Sequence, residues 1–139
     1  MQLTIFTDYG LRALMYLAAH QDKMCSVREI ADHYGISRNH LVKVVHRLSQ
    51  LGLIDSSKGR GGGIKLAIAP ESLKLGDFVQ MVEPHMNLVE CFNKDTNRCR
   101  VTANCTLKHY LTDAAKSFLD SLNRHTLADS VANKNMFLQ

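Results

Sequence analysis

Residues 26–51 read SVREIADHYGISRNHLVKVVHRLSQL, and this stretch decides the fold. Ser26 and Glu29 have the spacing of a capping box, which predicts a helix over 26–34. Val27, Ile30 and Ala31 form its apolar face, Gly35 ends it, and Ile36 is a turn hydrophobe. Ser37 then stands as N-cap of a helix over 37–51. On that helix Leu41, Val44, Val45, Leu48 and Leu51 make one stripe, while Arg38, Asn39, His40, Lys43, His46 and Arg47 fall mostly outside it. A short helix, a tight glycine turn and a helix with a basic, amide-bearing start form a helix-turn-helix. The second helix of such a pair lies in the major groove of DNA with its first residues on base edges. An ordinary amphipathic surface helix would show the same stripe; the turn and the charge together favour the DNA reading.

Residues 52–69, GLIDSSKGRGGGIKLAIA, extend this reading. Leu53–Asp55 and Ile64–Ile68 are expected as the strands of a hairpin, with Gly59–Gly63 at its tip. A hairpin directly after a recognition helix is a wing. Its glycines, Gly61 and Gly62 among them, let backbone approach phosphate closely. Lys58 and Arg60 lie at the tip, and an arginine there can enter a narrow minor groove. GRGGG is not a phosphate-binding P-loop, because it lacks G-x4-G-K-[ST] and no helix follows at once.

Charge supports the same surface. Residues 1–70 hold nine Lys/Arg against five Asp/Glu, and residues 71–139 hold eight of each, so the net +4 lies in the first half. From Arg38 to Lys65 there are six cations and one acid. This is the electrostatic footprint of a polyanion partner.

Toward the N-terminus, residues 8–20 read as a helix with Leu11, Leu14, Met15 and Ala18 at helical spacing and Asp8 capping its start. Beyond the wing, Pro70 breaks the strand, a helix is expected within 72–83 on Phe78, Val79 and Val82, and Pro84 follows it. Residues 106–132 read as one long helix whose stripe includes Leu111, Ala115, Phe118 and Leu122. A helix so long and so apolar along one side needs a partner surface, and a homodimer is the economical answer. The expected fold is therefore mainly α with a small β-hairpin wing. Residues 1–84 would form a winged helix-turn-helix DNA-binding domain, and residues 85–139 a loop at 91–105 followed by a dimerisation helix at 106–132. The tail NKNMFLQ carries no signal.

Between wing domain and long helix lies CFNKDTNRCRVTANC, residues 91–105, with three of the four cysteines at C-x7-C-x5-C. A polar stretch this long inside a domain is usually functional or disordered. Structural zinc favours paired short spacings, which are missing here. Iron–sulfur clusters accept wider ones and usually four ligands, so a fourth would come from elsewhere. Redox thiols and thiols without a role remain open on spacing alone. Arg98 and Arg100 flank Cys99, and cationic neighbours favour the thiolate that ligates metal. Cys25, far from the others, reads as a small packing residue. No basic start leads into an apolar run, and no apolar stretch approaches ~18 residues. The expectation is a cytoplasmic chain with reduced cysteines and no membrane span.

The start MQLTIFTDYGLRALMYLA, the SRNHLVKVV helix, the GRGGGIKLA wing and three cysteines ahead of a long helix resemble, over nearly the whole chain, the NsrR repressors. These are nitric-oxide-sensing, iron–sulfur relatives of the cluster-sensing repressor IscR. The resemblance implies a homodimeric repressor on a palindromic operator that releases double-stranded DNA when its cluster is nitrosylated. It implies one cluster per subunit on Cys91, Cys99 and Cys105, with Asp8 of the partner subunit as fourth ligand. The IscR branch carries histidine three residues after the last cysteine. Here that position is Lys108, with His109 one residue later, which favours [4Fe–4S] over [2Fe–2S] and NsrR over an IscR-like regulator of cluster assembly. A cysteine-based redox enzyme is the distant alternative: no C-x-x-C and no nucleotide fingerprint supports it.

Overall fold

In the computed structural model, which describes residues 1–137, Thr4 rather than Asp8 starts the first helix, α1 (Ile5–Ala19). Thr4 is extended, and its hydroxyl accepts the Thr7 N–H at 3.2 Å. Asp8 lies inside the first turn, where its charge still faces the positive helix end. Sequence pattern placed the start too late because the stripe Leu11, Leu14, Met15, Ala18 begins a turn after the cap. α1 is the central rod of the core: Ala13, Leu14, Tyr16, Leu17 and Ala18 are all buried.

The capping box is present as expected. Ser26 Oγ accepts the Glu29 N–H and Glu29 Oε2 accepts the Ser26 N–H, each at 3.0 Å, and α2 runs Val27–Tyr34. α3 runs Arg38–Gln50 from Ser37, burying Leu41, Val44, Val45 and Leu48. The wing strands are β1 (Ile54–Ser57) and β2 (Gly63–Leu66), antiparallel, with Ile54 opposite Leu66 and Ser57 opposite Gly63. Both strands are displaced toward the tip from their expected limits. Cys25 joins the wing: its N–H donates to Ile64 O at 2.9 Å and its carbonyl accepts the Ile64 N–H at 2.7 Å. The chain ahead of α2 thereby covers the edge of β2, and the Cys25 side chain is buried as expected.

After a 3-10 turn at Pro70–Ser72 comes α4 (Leu75–Val82), which sends Phe78 and Val79 into the core. α5 (Thr106–Leu122) crosses α4 closely at Gly76, where an added Cβ would stand 2.5 Å from Leu119 O. The single helix expected over 106–132 does not exist. Asn123 leaves the helix: its Oδ1 accepts the Asp77 N–H and its Nδ2 donates to Asp77 Oδ1, both at 2.8 Å. The Leu75 N–H donates to His125 O and the Leu127 N–H to Leu73 O, so the strand-like segment 123–126 is stitched to the start of α4. A second capping box, Thr126 with Asp129, then starts the short α6 (Leu127–Ser130). Val131, expected to continue the stripe of the long helix, is instead buried together with Leu127 in the core of α1–α4. The tail is also used: Phe137 is buried, against the rings of Tyr16, His20 and His33.

Candidate functional site

α3 is divided along its length. One face is locked in the core, and Ser37, Arg38, Asn39, His40, Lys43 and Arg47 on the other are all exposed. Ser37 Oγ is partly engaged as cap, accepting the His40 N–H at 3.4 Å. Arg47 donates to Gln50 Oε1 at 3.4 Å, tying down the end of the helix. At the wing tip Lys58, Arg60 and Gly61 are exposed and Gly62 is half-buried. A Cβ on Gly62 would lie 2.4 Å from Ser57 O, so the tip that carries Arg60 closes only over glycine. The structure therefore presents the expected helix residues and the expected wing residues on open surfaces.

The cysteine loop is built differently. Cys91 lies half-buried in a 3-10 turn (Glu90–Phe92), Cys99 is exposed, and Cys105 is half-buried as the N-cap of α5, its Sγ accepting the Lys108 N–H at 3.4 Å. No residue from Cys91 to Cys105 is buried, yet the loop holds itself by polar contacts. The Glu90 carboxylate accepts the Arg98 N–H, and Asn97 Oδ1 accepts the Cys99 N–H at 3.0 Å. Asn97 Nδ2 donates to Thr102 Oγ1, whose hydroxyl donates to Cys99 O at 2.8 Å. An Asn two residues ahead of a turn was the available sequence signal for this clip.

All four cysteines are free thiols. By chemistry the loop's donor set suits an iron–sulfur cluster: three unpaired thiols on one segment without core packing, among cations. The single chain does not gather them, since among the described residues no three His, Cys, Asp or Glu side chains converge. Burial pushes the Cys25 thiol up to about 11, which leaves it protonated and a poor ligand.

Asp8, half-buried on α1, has both carboxylate oxygens on Arg12. The spacing of four residues between them was legible, but their pairing was missed. Glu83, at the end of α4, accepts the Thr4 N–H at 2.7 Å and the Thr4 hydroxyl at 3.1 Å. Burial alone would raise the Glu83 carboxyl; hydrogen bonds from Thr7 and Thr4 overcome that and hold it below the usual range. This contact joins the segment leading to the cysteines with the start of α1.

On α5, Leu111, Ala115, Phe118 and Leu122 are only half-buried, and Leu107 and Tyr110 are 62% and 66% exposed. Phe118 faces a cleft of about 430 Å³ between residues 1–4 and 83–88. Among the described residues no helix is long and apolar enough to cross a membrane.

The family described as Rrf2, an iron-dependent transcriptional regulator, matches residues 3–133. The HTH-type transcriptional regulator NsrR of Shouchella clausii is 48% identical over 136 residues, covering 97% of this chain and 91% of that protein. The regulator of the same name from Bacillus subtilis is 44% identical over 135 residues, covering 96% and 92%. Among solved structures, T. potens IscR superposes with a TM-score of 0.76 at 26% identity over 94% of this chain and 86% of that one. CymR, the global cysteine regulator of B. subtilis, superposes with a TM-score of 0.73 at 27% identity over 95% and 97%.

Proposed function

The chain belongs to the Rrf2 family of transcriptional regulators, and from that premise we propose that it is a DNA-binding repressor, not an enzyme, that acts in the cytoplasm as a homodimer and releases a palindromic operator in response to nitric oxide. The observation that carries the DNA half is the divided α3, core on one side and a bare cationic and amide face on the other. Arg38, Asn39, His40 and Lys43 read base edges or neighbouring phosphates; Ser37, Arg47 and Lys58 contact phosphate; and Arg60, on the Gly61–Gly62 tip, enters the minor groove. Residues 1–84, with Leu127, Val131 and Phe137 completing their core, act as the reading domain, and the cysteine loop and α5 as the sensing and pairing part.

The sensing half rests on the likeness to NsrR proteins and on three free thiols in one loop. Cys91, Cys99 and Cys105 hold an iron–sulfur cluster, one per subunit, with Asp8 of the partner subunit completing the set. The nuclearity is [4Fe–4S] rather than [2Fe–2S], because Lys108 cannot serve where the IscR branch has histidine. Such a cluster supplies iron to which nitric oxide adds. The chain's own residues do the rest: a carboxylate donated from α1 ties one subunit's reading domain to the other's loop, and Leu111, Ala115, Phe118 and Leu122 pair the α5 helices. A harder carboxylate is the most readily displaced of these ligands.

Anaerobic purification tests this reading. A dimer with a cluster absorption band, binding operator DNA and losing it on addition of nitric oxide, is the expected result. A clean 15.6 kDa monomer, or operator affinity unchanged by excess nitric oxide, would overturn it.

A further inference from the structure

Val42 is 47% exposed, and from Phe6 to Gln80 it is the one large apolar side chain on open surface; every other in that span is buried or half-buried. A singly exposed apolar residue is ordinary on most protein surfaces. This one stands within the face that the reading head leaves bare. Residues four apart lie about 40° from each other around a helix. Val42 is therefore in line with Arg38 one turn before it and His46 one turn after, both exposed. Exposed Asn39 and Lys43 border it on the side away from the buried stripe of α3. Neither the core nor the helix accounts for a valine here. The side chain adds nothing to the buried stripe, and a β-branched residue is a poorer helix former than the arginine and lysine beside it. The long side chains at the end of α3 are turned to one another and leave it uncovered: Arg47 donates to Gln50 Oε1 at 3.4 Å, and Gln50 Nε2 lies 3.3 Å from His46 Nε2.

We infer that Val42 reads a base by apolar contact: its methyl groups pack on the 5-methyl of a thymine in the major groove and select thymine at one position of each half-site. Among the four bases only thymine displays a methyl group on its major-groove edge. The inference rests on the docking of α3 proposed above, and it adds an apolar contact to the polar ones assigned there. In a helix valine holds essentially one rotamer, so its methyls meet the base with little freedom left to lose. The polar side chains around it fix the register, and the contact they surround is shut off from water, where apolar burial counts.

The test uses the full-length, cluster-loaded dimer under anaerobic conditions and a duplex that this dimer selects from a randomised pool. Copies of the duplex carry uracil in place of each thymine of a half-site in turn, which removes one methyl group and leaves base pairing as it was. At one position the exchange should weaken binding by the parent about fourfold, the worth of one buried methyl group. Val42→Ala should bind the thymine duplex more weakly and be indifferent to uracil at that position. Alanine, a better helix former, fills the exposed site without cost to the fold. A parent that tolerates uracil at every thymine, or a penalty of the same size in Val42→Ala, overturns the inference. Arg38→Ala separates that failure from failure of the DNA reading. Weaker binding by Arg38→Ala beside uracil tolerance in the parent removes the valine contact alone. If Arg38→Ala and Val42→Ala both bind the selected duplex like the parent, or if the dimer selects no duplex, the docking of α3 falls and the inference with it.

Discussion

Up to Val79 every helix and strand buries part of itself; from Gln80 to Thr126 no residue is buried. The first region is complete within one chain. α1 supplies the rod, α2 and α3 pack on it, and the wing and α4 close the sides around Leu14, Leu17, Ile30, Leu41, Leu48, Ile54 and Phe78. The second region contains the cysteines and α5, and it is held by polar clips and one close crossing at Gly76. A 17-residue helix with no buried residue is not stabilised by its own chain's core, and most helical stability in proteins comes from packing. The stretch up to Val79 thus makes a core that Leu127, Val131 and Phe137 complete, whereas Gln80 to Thr126 adds no buried residue to it.

The largest expected effect separates the two regions by chemistry. Cys91→Ala, Cys99→Ala or Cys105→Ala should abolish bound iron and sulfide while leaving the far-UV circular dichroism of the reading head in place. Cys25→Ala should do the reverse, keeping the cluster and lowering the melting temperature, because that side chain is only 1% exposed. Iron retained after loss of Cys99 would remove that thiol from the ligand set.

The next effect asks where the boundary lies. Leu127 follows α5 in sequence but is fully buried with the reading head. Leu127→Ala should cost about 2–5 kcal/mol in denaturant unfolding. Leu107→Ala, in the exposed first turn of α5, should stay within ~0.5 kcal/mol for metal-free protein diluted to monomer. Equal costs would mean that α5 has a core partner within its own chain.

Within the reading surface, Arg38→Ala should cost about 1–3 kcal/mol of operator binding and relax preference at one base pair. Gly62→Ala should weaken binding through the wing while leaving α3 intact, since the new methyl meets Ser57 O. Operator affinity at fixed salt measures both; a Gly62→Ala protein that binds like the parent would remove the wing from the interface.

The smallest effect is in pH. Burial would raise the Glu29 carboxyl, but hydrogen bonds from Lys23, the Ser26 N–H and Tyr16 overcome this and lower it from 4.5 to about 2. A lowered carboxyl contributes stability that is present above its unfolded pKa and lost as pH falls through the folded one. The α1–α2 junction should thus weaken between about pH 4.5 and 2, and Glu29→Gln should flatten that part of the stability curve. Unchanged acid unfolding in Glu29→Gln would show that the junction is held by packing alone.

Much of the reading head was legible. Ser26 with Glu29, Gly35, Ser37 and the stripe Leu41–Leu48 are local signals, and each element they define depends on contacts a few residues apart. The thiol spacing and the charge asymmetry were equally plain, because residue type alone carries them. What sequence could not decide were contacts whose partners are far apart. Asp77, 46 residues from Asn123, ends α5 by pairing with it, where the apolar spacing was read as one helix on to residue 132. Cys25 covers the wing edge, Phe137 fills a gap beside Tyr16, and Thr4 answers to Glu83. Local propensity and periodicity determined the elements of this protein; long-range hydrogen bonds and burial, which exist only once the chain has closed on itself, decided where those elements stop and which residues stand free for a partner.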